Sequence, residues 1–345
     1  MYVKKSFSLK NILRFTGKYT LLITAWCTFV TLMHELFHAH WLQIPWLPIS
    51  IIGTAVAFYV GFKNNQSYDR MWEARKIWGA IINSSRAWGS AVDNFITDQF
   101  TEEAITQDDL KAIKKKLIYR HIGWLYSLRS QLLIPTPWEH ISQKGQMQRR
   151  TEQSRKRYGI GLLGDLATRN SLDRFLPPDE HDRLINNKNT ATQIINEQAR
   201  TLTALRKRGI IEDFRHMQFQ TLLDNLYDHQ GKAERIKKFP LPRQYAHSSW
   251  IFVTIFIILL PFGMVTEFHK IGEIGAWISI PFSVIVGWIF IMMELVGDYS
   301  ENPFEGLGND IPMLSLCRVI EIDLKEMLGE EDLPPPIDAI DGVLM

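Results

Sequence analysis

The sequence predicts an all-α membrane protein with four transmembrane helices per subunit and a helical cytosolic domain. Three observations carry the prediction. Four apolar segments, at about 19–38, 46–62, 248–266 and 274–296, interrupt an otherwise charged chain. The region 63–247 places its apolar residues at helical spacing, and no run alternates with the turn chemistry that strands and hairpins need. A mean hydropathy of −0.09 fits a membrane part joined to a sizeable water-facing part, each diluting the other's average.

The elements follow in order. Residues 1–18 form an N-terminal cytosolic segment with Lys4, Lys5, Lys10, Arg14 and Lys18; no small-residue cleavage site follows, so the first apolar run is expected to be a retained anchor. Transmembrane helices 1 and 2 occupy 19–62. The second lies in a run of 22 residues, Trp41 to Phe62, without a formal charge, long enough for a hydrocarbon core. With no proline after Pro48 it should continue to about Asp98. Thr101-Glu102-Glu103 suggests the cap of the next helix, which carries Leu110, Ile113, Leu117, Ile118 and Ile122 and ends near Leu133, ahead of Pro135 and Pro137. Gln143 to Tyr158 is charged and less periodic. Pro177-Pro178-Asp179-Glu180 fits a first turn; Thr190 to Arg208 should close at Gly209, and Ile210 to Gln230 at Gly231. The helical cytosolic domain thus spans 63–247 and transmembrane helices 3 and 4 span 248–297. Residues 298–345 supply a C-terminal cytosolic helix and a tail whose Pro334-Pro335-Pro336 should lie extended over a surface.

Charge sets the orientation. The loop between the first two segments has no Lys or Arg and that between the last two has only Lys270, whereas the N-terminus and 63–247 are rich in them. Both termini and the middle region are therefore expected on the cytoplasmic side of a plasma (inner) membrane, crossed several times. A net charge of +2 argues against nucleic acid, because runs such as Lys114 to Lys116 sit among acids as a solvated helix face does. Cys27 and Cys317 are too few and too far apart for a disulfide framework or a thiolate metal site.

On the second helix, Thr54, Phe58 and Phe62 recur at i, i+4 and i+8, so they share a face, with Gly53, Ala55, Ala57 and Gly61 between them. Spacing alone leaves two readings open: a packing face, or a face turned to something else.

The run Gly61-Phe62-Lys63-Asn64-Asn65, with Tyr68-Asp69-Arg70 and Trp72-Glu73-Ala74-Arg75-Lys76-Ile77-Trp78-Gly79, resembles the signature of the bestrophin family in its bacterial branch. Glu234-Arg235-Ile236, Phe239-Pro240-Leu241-Pro242, Tyr245 and His247 agree with it, as do Glu301-Asn302-Pro303-Phe304 and Asn309-Asp310. The resemblance implies a homopentameric ion channel, with self and the lipid bilayer as partners, small monovalent ions as cargo and no enzyme activity. It also implies that Thr54, Phe58 and Phe62 form the pore neck as rings, one hydroxyl and two phenyl, able to gate by dewetting and lacking a fixed charge to impose a sign. The family as a whole implies chloride or other small anions; some bacterial relatives with a similar neck pass monovalent cations such as sodium. A second, cytosolic aperture is implied near Phe214 or Arg215, where a ring of Arg215 would favour anions unless the arginine is paired with Glu212 or Asp213 of a neighbouring copy.

Two further patterns bear on metals. His34-Glu35-Leu36-Phe37-His38 matches H-E-x-x-H, which on a helix can hold zinc with the glutamate as general base, so an intramembrane zinc metalloprotease is a competing reading. Against it, a third ligand is not evident and the pair sits at the end of its segment. The acids Glu294, Asp298, Glu301, Glu305 and Asp310 could hold a hard cation. The resemblance implies a Ca2+ clasp in which Asn302 and Asp310 match, but another acidic ligand falls on Leu307, a loss that should weaken Ca2+ greatly. No cofactor is required.

Overall fold

The computed structural model describes residues 1–6, 9–37, 43–157 and 172–345. The described residues are helical apart from turns, extended links and isolated bridges pairing Tyr2 and Ile340 with Val343. The helices are α1 Leu9–Leu36, α2 Trp46–Phe95, α3 Gln107–Leu132, α4 Gln146–Arg157, α5 Pro178–Ile185, α6 Thr190–Lys207, α7 Asp213–Lys238, α8 Arg243–His269, α9 Glu273–Asp298 and α10 Met313–Met327. The all-α class expected from periodicity holds.

They fall into two compact units, one of residues 4–70 and 240–302, the other of 1–3, 71–239 and 303–345. The first contains α1, α8, α9 and the N-terminal part of α2. Its core joins Ile23 and Cys27 of α1, Ile49, Val56 and Val60 of α2, Val253, Phe256 and Leu260 of α8, and Ile291 and Leu295 of α9. Glycine sets how near the helices approach: a Cβ on Gly53 would lie 2.6 Å from Cε2 of Phe256, and one on Gly263 2.6 Å from Cδ1 of Ile49. Among the described residues three helices, α2, α8 and α9, are long and apolar enough to cross a membrane. Helix α1 falls short on composition, because its threonines and His34-Glu35 dilute the leucines and isoleucine that precede them. Helix α1 nonetheless places Ile23 and Cys27 in the same core as the other three.

The second unit packs α3, α6, α7, α10 and the C-terminal part of α2 around Trp78, Trp88, Trp124, Phe219, Cys317 and Leu324. Helix α3 starts later than Thr101 suggests. Thr106 is its cap: its Oγ1 accepts from the Asp109 backbone N–H at 3.1 Å, and Asp109 Oδ2 accepts from the Thr106 N–H at 3.1 Å. Thr101 is engaged elsewhere, its hydroxyl donating to the Arg208 carbonyl at 2.7 Å. The stop at Leu133 and the start at Pro178 agree with the sequence reading. Gly209, at φ 70°, follows α6 as expected, whereas Gly231 ends nothing: α7 runs on to Lys238, since Ala233 and Ile236 keep one face buried. The tail carries no regular secondary structure through 333–339, and the Pro335 carbonyl there accepts from Arg318 Nη1 at 2.7 Å.

Candidate functional site

Helix α2 sorts its residues by face in the first unit. Gly53, Val56, Val60, Lys63 and Ser67 are buried, at the three- and four-residue intervals of one helix side. On another side Ile51, Thr54, Phe58 and Phe62 are exposed in the single subunit, Phe58 at 66% and Phe62 at 61%. The arrangement inverts the ordinary preference, burying a lysine and exposing two phenyl rings. The inversion is built by partners. Lys63 Nζ donates to Glu294 Oε1 of α9 at 2.5 Å, and Ser249 Oγ of α8 donates to Glu294 Oε2 at 2.5 Å. Asn64 Nδ2 donates to the Met293 carbonyl at 3.0 Å, and Tyr59 donates to the Tyr245 carbonyl at 3.2 Å. These bonds hold α2 rotationally against α8 and α9. Thr54 is exposed and donates to the Ser50 carbonyl at 2.9 Å, which leaves its oxygen able to accept a hydrogen bond. Because Lys63 is turned inward and neutralised, the exposed face from Leu47 to Gln66 presents no formal charge.

The two aperture candidates part ways in the second unit. Phe214 is 83% exposed. Arg215 is held by its own chain: Nη1 donates to the Phe95 carbonyl at 3.3 Å and to Thr97 Oγ1 at 3.1 Å, and the guanidinium lies over the rings of Phe95 and Phe100 at 5.6 and 4.9 Å. Glu212 Oε1 stands 3.9 Å from its Nε.

The residues matching the Ca2+ clasp do not fit that ion. Both oxygens of Asp310 are taken by its own loop, accepting from the backbone N–H groups of Phe304 (2.7 Å), Gly306 (2.5 Å) and Ile311 (2.6 Å). Burial pushes its carboxyl up from the ordinary range and the three donors pull it back. The loop needs this anchor, since Phe304 and Gly306 both sit at positive φ, 75° and 84°. Leu307 is buried apolar where the relatives' ligand would stand, and Asn302 Nδ2 donates to Glu301 Oε1 at 3.4 Å. Ca2+ wants six to eight oxygens, and this loop offers a carboxylate already spent on N–H donors.

Of the H-E-x-x-H residues, His38 lies outside the described residues. His34 Nδ1 is 2.7 Å from Glu35 Oε1, and Glu35 Oε1 is 3.3 Å from Nδ1 of His269, the last residue of α8. The sequence reading missed His269 as a neighbour. Its place at the end of the third apolar segment, level with the end of the first, was the available signal.

A family model described as Bacterial/Fungal Bestrophin protein matches residues 9–326. The chain belongs to the bestrophin family. Among curated relatives it is similar to the voltage-dependent anion channel-forming protein YneE of Escherichia coli O157:H7, 25% identical over 291 residues, covering 84% of this chain and 79% of that protein. It is also similar to the voltage-dependent anion channel-forming protein RSc3414 of Ralstonia nicotianae, 27% identical over 311 residues, 88% of this chain and 85% of that one. Among solved structures, a bacterial bestrophin homologue from Klebsiella pneumoniae superposes with a TM-score of 0.72 at 21% identity, over 92% of this chain and 98% of that one, a likeness of fold. Bestrophins and these relatives are channels, not enzymes, so the zinc metalloprotease reading of His34-Glu35-x-x-His38 is set aside. This bestrophin is a membrane protein with apolar helices of spanning length.

Proposed function

We propose that this bestrophin is an ion channel, a homopentamer of four-span subunits in the plasma membrane with both termini cytoplasmic. Its α2 helices surround a common axis, and Thr54, Phe58 and Phe62 form the neck. The observation that carries the reading is the inverted α2: side chains that would ordinarily be buried are exposed in the lone subunit, while the lysine beside them is sealed against Glu294. Copies arranged about an axis give those phenyl rings an environment of their own kind and leave the conduit free of charged side chains at its narrowest part. In the cytosolic part the aperture is lined by Phe214; Arg215 serves behind it, bound to Phe95 and Thr97.

The cargo is small monovalent ions, with anions, chloride among them, favoured because the relatives from Escherichia coli and Ralstonia are named as anion channel-forming proteins. A neck without charge leaves the sign to ring orientation, because phenyl edges are slightly positive and faces slightly negative. Reversal potentials of the purified channel in a bilayer under a salt gradient test this. A shift toward the chloride potential supports the anion reading, and a shift toward the sodium potential replaces it with the cation channel of the same fold. In the same bilayers Phe58→Ala and Phe62→Ala should each raise single-channel conductance; currents equal to those of the unsubstituted protein would remove these residues from the neck.

A further inference from the structure

We infer that the C-terminal ends of α1 and α8 form a binding site for a divalent transition-metal ion of the Zn2+ type, with His34, Glu35 and His269 as ligands. This goes beyond the channel reading and does not depend on it. Three potential ligand atoms, one from each residue, lie within 4.8 Å of one another. Glu35 Oε1 stands between the two imidazoles, 2.7 Å from His34 Nδ1 and 3.3 Å from His269 Nδ1, and the two rings are 5.2 Å apart, nearly perpendicular. In a tetrahedral shell with bonds of about 2.0–2.2 Å, neighbouring ligand atoms stand about 3.3–3.6 Å apart, so small side-chain rotations suffice to admit the ion.

Four features favour a cation here. The Nδ1 of His269 is buried yet makes no hydrogen bond. Both imidazoles occur in the last turns of their helices, where the helix dipole is negative. The nearest lysine in sequence, Lys270, is already paired with Glu267 at 2.8 Å. His34 has an outer partner, since its Nε2 lies 2.9 Å from the Gln43 side-chain amide. With a metal on Nδ1, the Nε2–H would donate to the amide oxygen of Gln43 after an amide flip, the usual way a ligating histidine is oriented. Two imidazoles and one carboxylate suit Zn2+ or Co2+ and not the oxygen-seeking Mg2+ or Ca2+. The His269 side chain is 40% exposed, which gives the ion its way in and leaves a coordination position for water.

The test uses the full-length protein in detergent, freed of any affinity tag, with Zn2+ binding followed by calorimetry and Co2+ binding by its visible absorption. The expected result is saturable binding of one ion per chain, unaffected by millimolar Mg2+ or Ca2+. His269→Ala and Glu35→Gln should each weaken it tenfold or more, and Gln43→Leu by about 10–100-fold through loss of orientation. Each variant's metal-free thermal midpoint and elution volume are measured alongside, and Zn2+ should raise the midpoint of the unsubstituted protein but not that of His269→Ala. Absence of saturable binding overturns the site, as does His269→Ala binding like the unsubstituted chain, or loss confined to His38→Ala. None of these readouts needs a current, so the site and the channel can fail separately.

Discussion

At Lys63 a single side chain decides the character of a whole helix face. Burying an ammonium is costly, and the structure offsets this with a carboxylate that is itself hydrogen-bonded by Ser249; removing one partner of such a pair typically costs about 3–5 kcal/mol. Charge is thereby withdrawn from the side that carries Phe58 and Phe62. In the second unit His121 shows the opposite economy. It is fully buried, stacked on Trp88, and its Nε2 lies 2.9 Å from Ser85 Oγ, whose own proton goes to the Ile81 carbonyl. Burial pushes its pKa down to about 3, so the imidazole is neutral and donates to the serine. The unfolded chain takes up a proton near the ordinary 6.5, which the folded chain refuses until about 3. Stability present above pH 6.5 should therefore be lost as pH falls through that window, with His121 contributing a slope of at most about 1.4 kcal/mol per pH unit. Denaturant midpoints measured from pH 7 to 4 check it: His121→Gln should flatten the slope by up to that amount, and parallel curves would show that the group does not carry it.

At the level of elements, α2 was the most legible part of the chain. The uncharged run, the missing proline and the i, i+4 recurrence of Thr54, Phe58 and Phe62 predicted a helix running on past the apolar segment, and it does so to Phe95. Which of its sides faces its neighbours was beyond periodicity, because both sides are apolar; Gly53 against Phe256 and Lys63 against Glu294 settle it. The two glycines on this stretch should respond differently. A Cβ at Gly53 lands 2.6 Å from a ring that is itself packed on Phe290, whereas at Gly61 it meets nothing within 4 Å. Gly53→Ala should then lower stability by about 1–3 kcal/mol through overpacking, and Gly61→Ala should leave it unchanged or slightly higher through better helix propensity. Thermal unfolding of the two variants in detergent separates them, and equal midpoints would contradict the close approach. The missed boundaries have equally local causes. Thr101 was expected to cap α3, and the reciprocal bonds of Thr106 with Asp109 make Thr106 the cap instead. Gly231 looked like a stop because glycine often ends helices, yet the buried Ala233 and Ile236 beyond it carry α7 through.

For the whole molecule, the exposed phenyl face is a statement about assembly. If the bestrophin assembles around α2, detergent-solubilised material should sediment as five copies of a 40.1 kDa chain, and a stable single subunit would end the pore proposal. Periodicity and charge distribution were enough to decide the helical class and the order of apolar and polar regions, and motif runs such as Gly61-Phe62-Lys63-Asn64-Asn65 and Glu301-Asn302-Pro303-Phe304 carried the resemblance to bestrophins, since all of these depend on near neighbours along the chain. Partner choice across the chain was not encoded locally. Asp310 reads as a cation ligand in sequence and here holds its own loop, Arg215 is open in sequence between a ring charge and a paired arginine and here lies over Phe95 and Phe100, and His269 meets Glu35 from the far end of another helix. Each of those outcomes depends on which side chains packing brings within hydrogen-bonding distance, a three-dimensional fact that spacing along one strand of sequence does not contain.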